Sequence, residues 1–112
     1  MLESTSVESS RHLVQVLLPL FDNEGRRFGI DPFAVTRTEL TDRFGGLTSY
    51  MRAPARGVWK TDDGAESRDD IVIFEVMVDE MDANWWRTYR ATLEARFRQD
   101  VIVIRAMPLI VL

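Results

Sequence analysis

The sequence predicts one α+β domain, a βαββαβ sandwich in which a four-stranded antiparallel sheet carries two helices on one face. Three observations carry the prediction. Strand-like apolar segments occur four times, at 12–21, 47–60, 66–78 and 101–107. Segments with helical apolar spacing, at 31–44 and 83–98, separate the first strand from the second and the third from the fourth. The chain has 112 residues, enough for a single core that buries about two thirds of the surface an unfolded chain exposes.

Each element has a local reason. His12 to Phe21 is long and apolar, and Asp22-Asn23-Glu24-Gly25 ends it as a turn-forming cluster, so it reads as a central strand. Asp31 is placed to cap the first helix, Pro32 suits its first turn, and Gly45-Gly46 supplies the left-handed stop. Its stripe is Phe33, Arg37, Leu40 and Phe44, with the arginine at the margin. The second strand contains Tyr50, Val58 and Trp59, but Pro54 cannot donate to a ladder and Gly57 invites a bulge; an edge strand bent in its middle is expected. Asp62-Asp63-Gly64 is a turn signal, after which Ile71 to Val78 returns apolar except at Glu75. Asp82 offers a cap for the second helix, whose stripe is Trp86, Tyr89 or Arg90, Leu93 and Phe97. Val101 to Met107 is a β-branched run that Pro108 should stop or bend, and four apolar residues, Leu109 to Leu112, follow.

Composition excludes several function classes. A net charge of −4 argues against a general nucleic-acid binder, because phosphate attraction needs a basic footprint. Lys60 is the single lysine, an arginine bias that fits GC-rich bacterial codon usage. There is no cysteine, hence no disulfide, thiolate metal site or catalytic thiol, and a reducing cytoplasm is the expected location. Residues 1–11 hold Glu3 and Glu8 among serines and a threonine with no apolar run; they are expected to be a disordered tail, not a signal peptide or membrane span, leaving 12–112 as the domain. No phosphate-binding glycine loop is present, and no cofactor is implied. His12 opens a strand and is expected to be solvent-exposed. Asp62, Asp63, Glu66, Asp69 and Asp70 lack a cation-binding pattern and read as a solvated hairpin rim, so no metal site is expected.

The element order resembles the ferredoxin-like superfold and, more narrowly, the dimeric α/β barrel group built from it. The stretch from Phe44-Gly45-Gly46-Leu47-Thr48 through Gly57-Val58-Trp59, the Asp63-Gly64 turn and Ile71-Val72-Ile73 to Tyr89, Leu93, Phe97 and Gln99 also resembles a bacterial small-domain family of uncharacterised function. These motifs are turns and packing residues, and the resemblance implies fold without a catalytic residue.

The division of residues between the two sheet faces is the sharpest signal. Val14, Val16, Leu18 and Leu20 share one face with Val72, Phe74, Val76, Val78, Ile102, Ile104 and Ala106, a purely apolar set that should pack beneath the helices. The other face presents Leu13, Gln15, Leu17 and Phe21, then Ile71, Ile73, Glu75 and Met77, then Val101, Val103, Arg105 and Met107. In ferredoxin-like strand order 4-1-3-2, Gln15, Glu75 and Arg105 fall at about one height, a polar row in an apolar field. One reading is a ligand pocket: Arg105 clamps an anion or carbonyl, Glu75 is a candidate general base, and Tyr50 or Trp59 forms a wall. The other is a Glu75–Arg105 ion pair bridged by Gln15 inside a subunit interface.

Two functions follow. The first is an oligomeric module binding a partner or small ligand through its open sheet face. The second is a small cofactor-independent enzyme of the dimeric α/β barrel type acting on an aromatic or polyketide-like substrate. A homodimer through the open face is expected either way, because a monomer seldom leaves so many apolar side chains in water.

Overall fold

The computed structural model describes residues 10–52 and 70–112. Six elements follow in the expected order: β1 (Ser10–Pro19), α1 (Asp31–Phe44), β2 (Thr48–Arg52), β3 (Ile71–Val78), α2 (Ala83–Arg96) and β4 (Val103–Ile110). The strands form one antiparallel sheet in the order β2-β3-β1-β4, with apolar β1 and β3 at its centre, as a ferredoxin-like fold requires. Pro54, Gly57, Trp59 and the Asp62-Asp63-Gly64 turn lie outside the described residues.

Period-2 alternation assigns the faces correctly. Val14, Val16, Leu18, Phe74, Val76, Val78 and Ile102 are buried in one cluster with Leu40, Trp86, Tyr89, Leu93 and Phe97, so both helices cover the same side of the sheet. Tyr89, not Arg90, takes the ambiguous place on the α2 stripe. On α1, Arg37 lies at the margin with its guanidinium 5.3 Å from the Phe74 ring centre, while Thr36 is fully buried and donates its hydroxyl to the Pro32 carbonyl at 2.8 Å. Phe28, from the loop after β1, meets Phe97 edge-on at 5.2 Å and closes the core at that end.

Several element ends differ from expectation, each for a local reason. β1 begins at Ser10, so the sheet claims Ser10 and Arg11; Arg11 aligns with Leu109 and pairs with Asp79 at 3.0 Å. Asp31 does not cap α1. Ile30 is the cap residue and makes no side-chain bond, whereas Asp31 stands in the first turn, where a carboxylate favours the positive end of the helix dipole. Gly45 ends α1 as expected, at φ 82° with its N–H on the Thr41 carbonyl at 2.8 Å. Asp82 caps α2 by accepting from the Trp85 N–H at 3.0 Å. That helix stops at Arg96 in a Schellman turn: Gln99 N–H donates to the Glu94 carbonyl (2.9 Å), Arg98 N–H to that of Ala95 (3.2 Å), and Arg98 takes φ 52°. β4 runs through Pro108 to Ile110. As an edge strand it pairs only with β1, the position in a sheet where a proline is tolerated.

Candidate functional site on the open sheet face

Strand register builds the site. Gln15 stands opposite Glu75 on one side and opposite Arg105 on the other, and Thr48 aligns with Glu75 from the edge strand. Two residues further along, Tyr50 aligns with Ile73, which puts its ring on the same face as the row. The four side chains join in one hydrogen-bonded chain. Arg105 Nε donates to Gln15 Oε1 at 2.7 Å, Gln15 Nε2 donates to Glu75 Oε2 at 2.5 Å, and the Tyr50 hydroxyl donates to the same carboxylate oxygen at 2.7 Å. Gln15 Nε2 also lies 3.2 Å from the Tyr50 oxygen.

The centre of the row is an uncharged amide, and its bipolarity matters. Its carbonyl accepts from the guanidinium while its NH₂ donates to the carboxylate, a task that a purely donating or purely accepting side chain cannot perform. Gln15 is 7% exposed, and burial without partners would cost about 1–3 kcal/mol. The structure supplies those partners. Glu75 is half-buried, Tyr50 and Arg105 are exposed, and no direct Glu75–Arg105 ion pair forms among the described residues. The bond to the Glu75 carboxylate pushes the Tyr50 phenol above its ordinary pKa, since losing that proton would set two negative charges together.

Apolar side chains flank the row on both sides. Leu13 aligns with Met77 and Met107, and Leu17 with Ile73 and Val103. Met77 and Val103 are each 48% exposed and Met107 is exposed as well, whereas Ile73 is buried. Beyond them Ile110, Val111 and Leu112 are also exposed.

Of the other expected site residues, Trp59 lies outside the described residues, as do Asp62, Asp63, Glu66 and Asp69. Asp70, expected on a solvated rim, is buried. Among the described residues no three His, Asp or Glu side chains stand close enough to hold a metal ion. His12 is half-buried, not freely exposed, and its Nδ1 is shielded without a hydrogen-bond partner. No helix among the described residues is long and apolar enough to cross a membrane.

Three cavities bordered by described residues lie away from the row's carboxylate. A groove of about 880 Å³ is bordered by Arg26, Arg27, Arg96 and Arg98 together with Asp22 and Glu24. Three of these arginines are paired with carboxylates: Arg26 with Glu24, Arg98 with Asp22 at 3.6 Å, and Arg96 with Glu39. Backbone N–H donation from Arg26 holds the Asp22 carboxyl low. Smaller cavities of about 180 and 210 Å³ lie beside β4 and beside Met51, the first touching Arg105; Glu75 lines none of the three.

Sequence reasoning missed a second polar cluster, between the helices. Arg96 clamps Glu39 with two hydrogen bonds of 2.8 and 2.9 Å and also donates to Thr36 Oγ1, while the Tyr89 hydroxyl donates to Glu39 at 2.8 Å. The guanidinium holds the Glu39 carboxyl low, and burial pushes the Tyr89 phenol up. This cluster fastens α1 to α2. The available signal was spacing, with Thr36 and Glu39 three apart on one helix and Tyr89 and Arg96 seven apart on the other, so each pair shares a helical face.

No protein-family model matches the sequence, and a search of curated proteins gives no match. The fold does match a solved structure, that of a phage SAM lyase in complex with S-methyl-5′-thioadenosine. The TM-score is 0.58 at 11% identity, over 89% of this chain and 82% of that one. At that identity the likeness establishes the fold.

Proposed function

We propose that this chain is an oligomeric binding module of the dimeric α/β barrel kind, working through the open face of its sheet and using the Arg105–Gln15–Glu75–Tyr50 row as its polar recognition element. One observation carries the reading: Met77, Val103 and Met107 are exposed around a row that is already hydrogen-bonded within the subunit. A solvated face normally alternates polar side chains outward, and an apolar one needs a cover. Sedimentation velocity at tens of micromolar is the test. The expected outcome is a dimer that Val103→Glu converts to a folded monomer; a wild-type monomer would refute the reading.

A small-ligand or catalytic reading has separate support. The phage SAM lyase, built on the same fold, carries S-methyl-5′-thioadenosine. Here the Tyr50–Glu75 pair, with Arg105 at the far end of the row, could grip a polar small molecule. Calorimetric titration with S-methyl-5′-thioadenosine, on the wild type and on Glu75→Gln, tests it: saturable heat lost in the variant favours the small-molecule function, and no heat removes that ligand.

A further inference from the structure

We propose that two copies of this chain stack their open faces about a two-fold axis running along β1, so that Arg105 of each copy pairs with Glu75 of the other. The inference rests on reading the open face as the self-association surface. Its basis is a symmetry in the register. β1 lies between β3 and β4, and three of its residues each align with one residue on either side: Leu13 with Met77 and Met107, Gln15 with Glu75 and Arg105, and Leu17 with Ile73 and Val103. A half-turn about an axis along β1 exchanges the two flanking strands and keeps every height. Met77 then faces Met107 and Glu75 faces Arg105, while Leu13, Gln15 and Leu17 face their own copies; Ile73, at the level of Val103, is already buried within its own subunit and adds no contact.

Charge complementarity selects this axis over the alternatives. An axis in the same plane but across the strands, through the row, would set Arg105 on Arg105 and Glu75 on Glu75, which is repulsive. Pairing β4 edge to edge about Arg105 has the same fault, and Pro108 offers no N–H to such a ladder. The unused atoms agree with the proposal. Arg105 spends only Nε on Gln15, so its two terminal nitrogens have no partner among the described residues. Glu75 accepts both of its hydrogen bonds at Oε2, leaving Oε1 without one among the described residues. Packed sheets lie about 10 Å apart, a gap that an arginine and a glutamate span together. Stacked sheets also cross at about 30°, which spoils alignment at the strand ends first; the polar row is the middle of the three levels.

Charge reversal and mixing test the axis. Glu75→Arg and Arg105→Glu should each raise the dimer dissociation constant about tenfold or more, because each sets like charges across both symmetric contacts. Mixing the two variants in equal amounts should restore a heterodimer, since both of its contacts again join opposite charges, and the double reversal should restore a homodimer. Circular dichroism establishes that the variants are folded, and Glu75→Gln, which removes the carboxylate without adding charge, should weaken the dimer if Glu75→Arg does not fold. Val103→Glu separates the two levels of inference. If it breaks the dimer but mixing fails to restore assembly, the axis is wrong and the face stands; if the wild type is a monomer, or Val103→Glu leaves the dimer intact, the face reading itself is overturned.

Discussion

Truncating Phe97 to alanine should cost this domain about 4–5 kcal/mol. The side chain is fully buried at the end of α2, where its ring meets Phe28 at 5.2 Å and 81° and Phe33 at 5.2 Å and 60°. Removing a buried phenylalanine ordinarily costs about 3–5 kcal/mol. Edge-to-face partners add about 0.5–1.5 kcal/mol each beyond the area they bury, which places Phe97 in the upper part of that range. The backbone is not at stake, because the Phe97 N–H bonds to the Leu93 carbonyl at 2.8 Å whatever the side chain. With a total stability of about 5–15 kcal/mol for a domain of ordinary stability, the variant should lose about a quarter or more of its margin. Urea melts at one fixed protein concentration read the loss as a lower midpoint with an unchanged slope, and fixing the concentration removes any effect of association. Phe97→Leu should fall between wild type and alanine. A loss under about 1 kcal/mol would mean that the three rings do not form the end of the core.

Three further outcomes follow from other parts of the molecule. Gln15→Met should destabilise by about 1–3 kcal/mol by leaving the half-buried Glu75 carboxylate short of a donor, and in a double-mutant cycle Glu75→Leu should recover part of that loss; strictly additive melts would contradict the bridging role. Left-handed positions 98 and 45 should respond in opposite directions: Arg98→Gly at φ 52° stabilises by about 0.5–1 kcal/mol, and Gly45→Ala at φ 82° costs about 1 kcal/mol although a Cβ there meets no atom. The helix clamp predicts pH dependence at both extremes. Glu39 is held below its unfolded pKa, so its contribution is present above that value and lost as pH falls through the folded one; Tyr89 is raised, so its contribution is complete below pH 10.0 and lost as pH climbs beyond it. Glu39→Gln should flatten the acid limb and Tyr89→Phe the alkaline limb, and phenolate absorbance should show both tyrosines ionising above 10.0.

How much of this was legible in the sequence depends on the range of the force involved. Alternation at period two and stripes at period 3.6 are written along single segments, so the six elements, the core face and the chemistry of the open face could be read directly. With the ferredoxin-like strand order, counting along the strands also set Gln15 between Glu75 and Arg105, because a slip of one residue would have turned the whole apolar set of β1 outward. What the segments could not specify is which groups meet once they are assembled. The bridge through Gln15 was expected, but no direct Glu75–Arg105 contact accompanies it and Arg105 is exposed, since two residues on strands flanking β1 lie two strand spacings apart and the side chain between them is the nearer partner. Asp31 gave up the cap to Ile30, and Pro108 failed to end β4, because a local signal yields to the place of its element in the sheet or helix pair. The Glu39–Arg96–Tyr89–Thr36 clamp belongs wholly to tertiary structure: the faces that α1 and α2 turn toward each other are fixed by how both pack on the sheet, and nothing within either helix alone encodes that meeting.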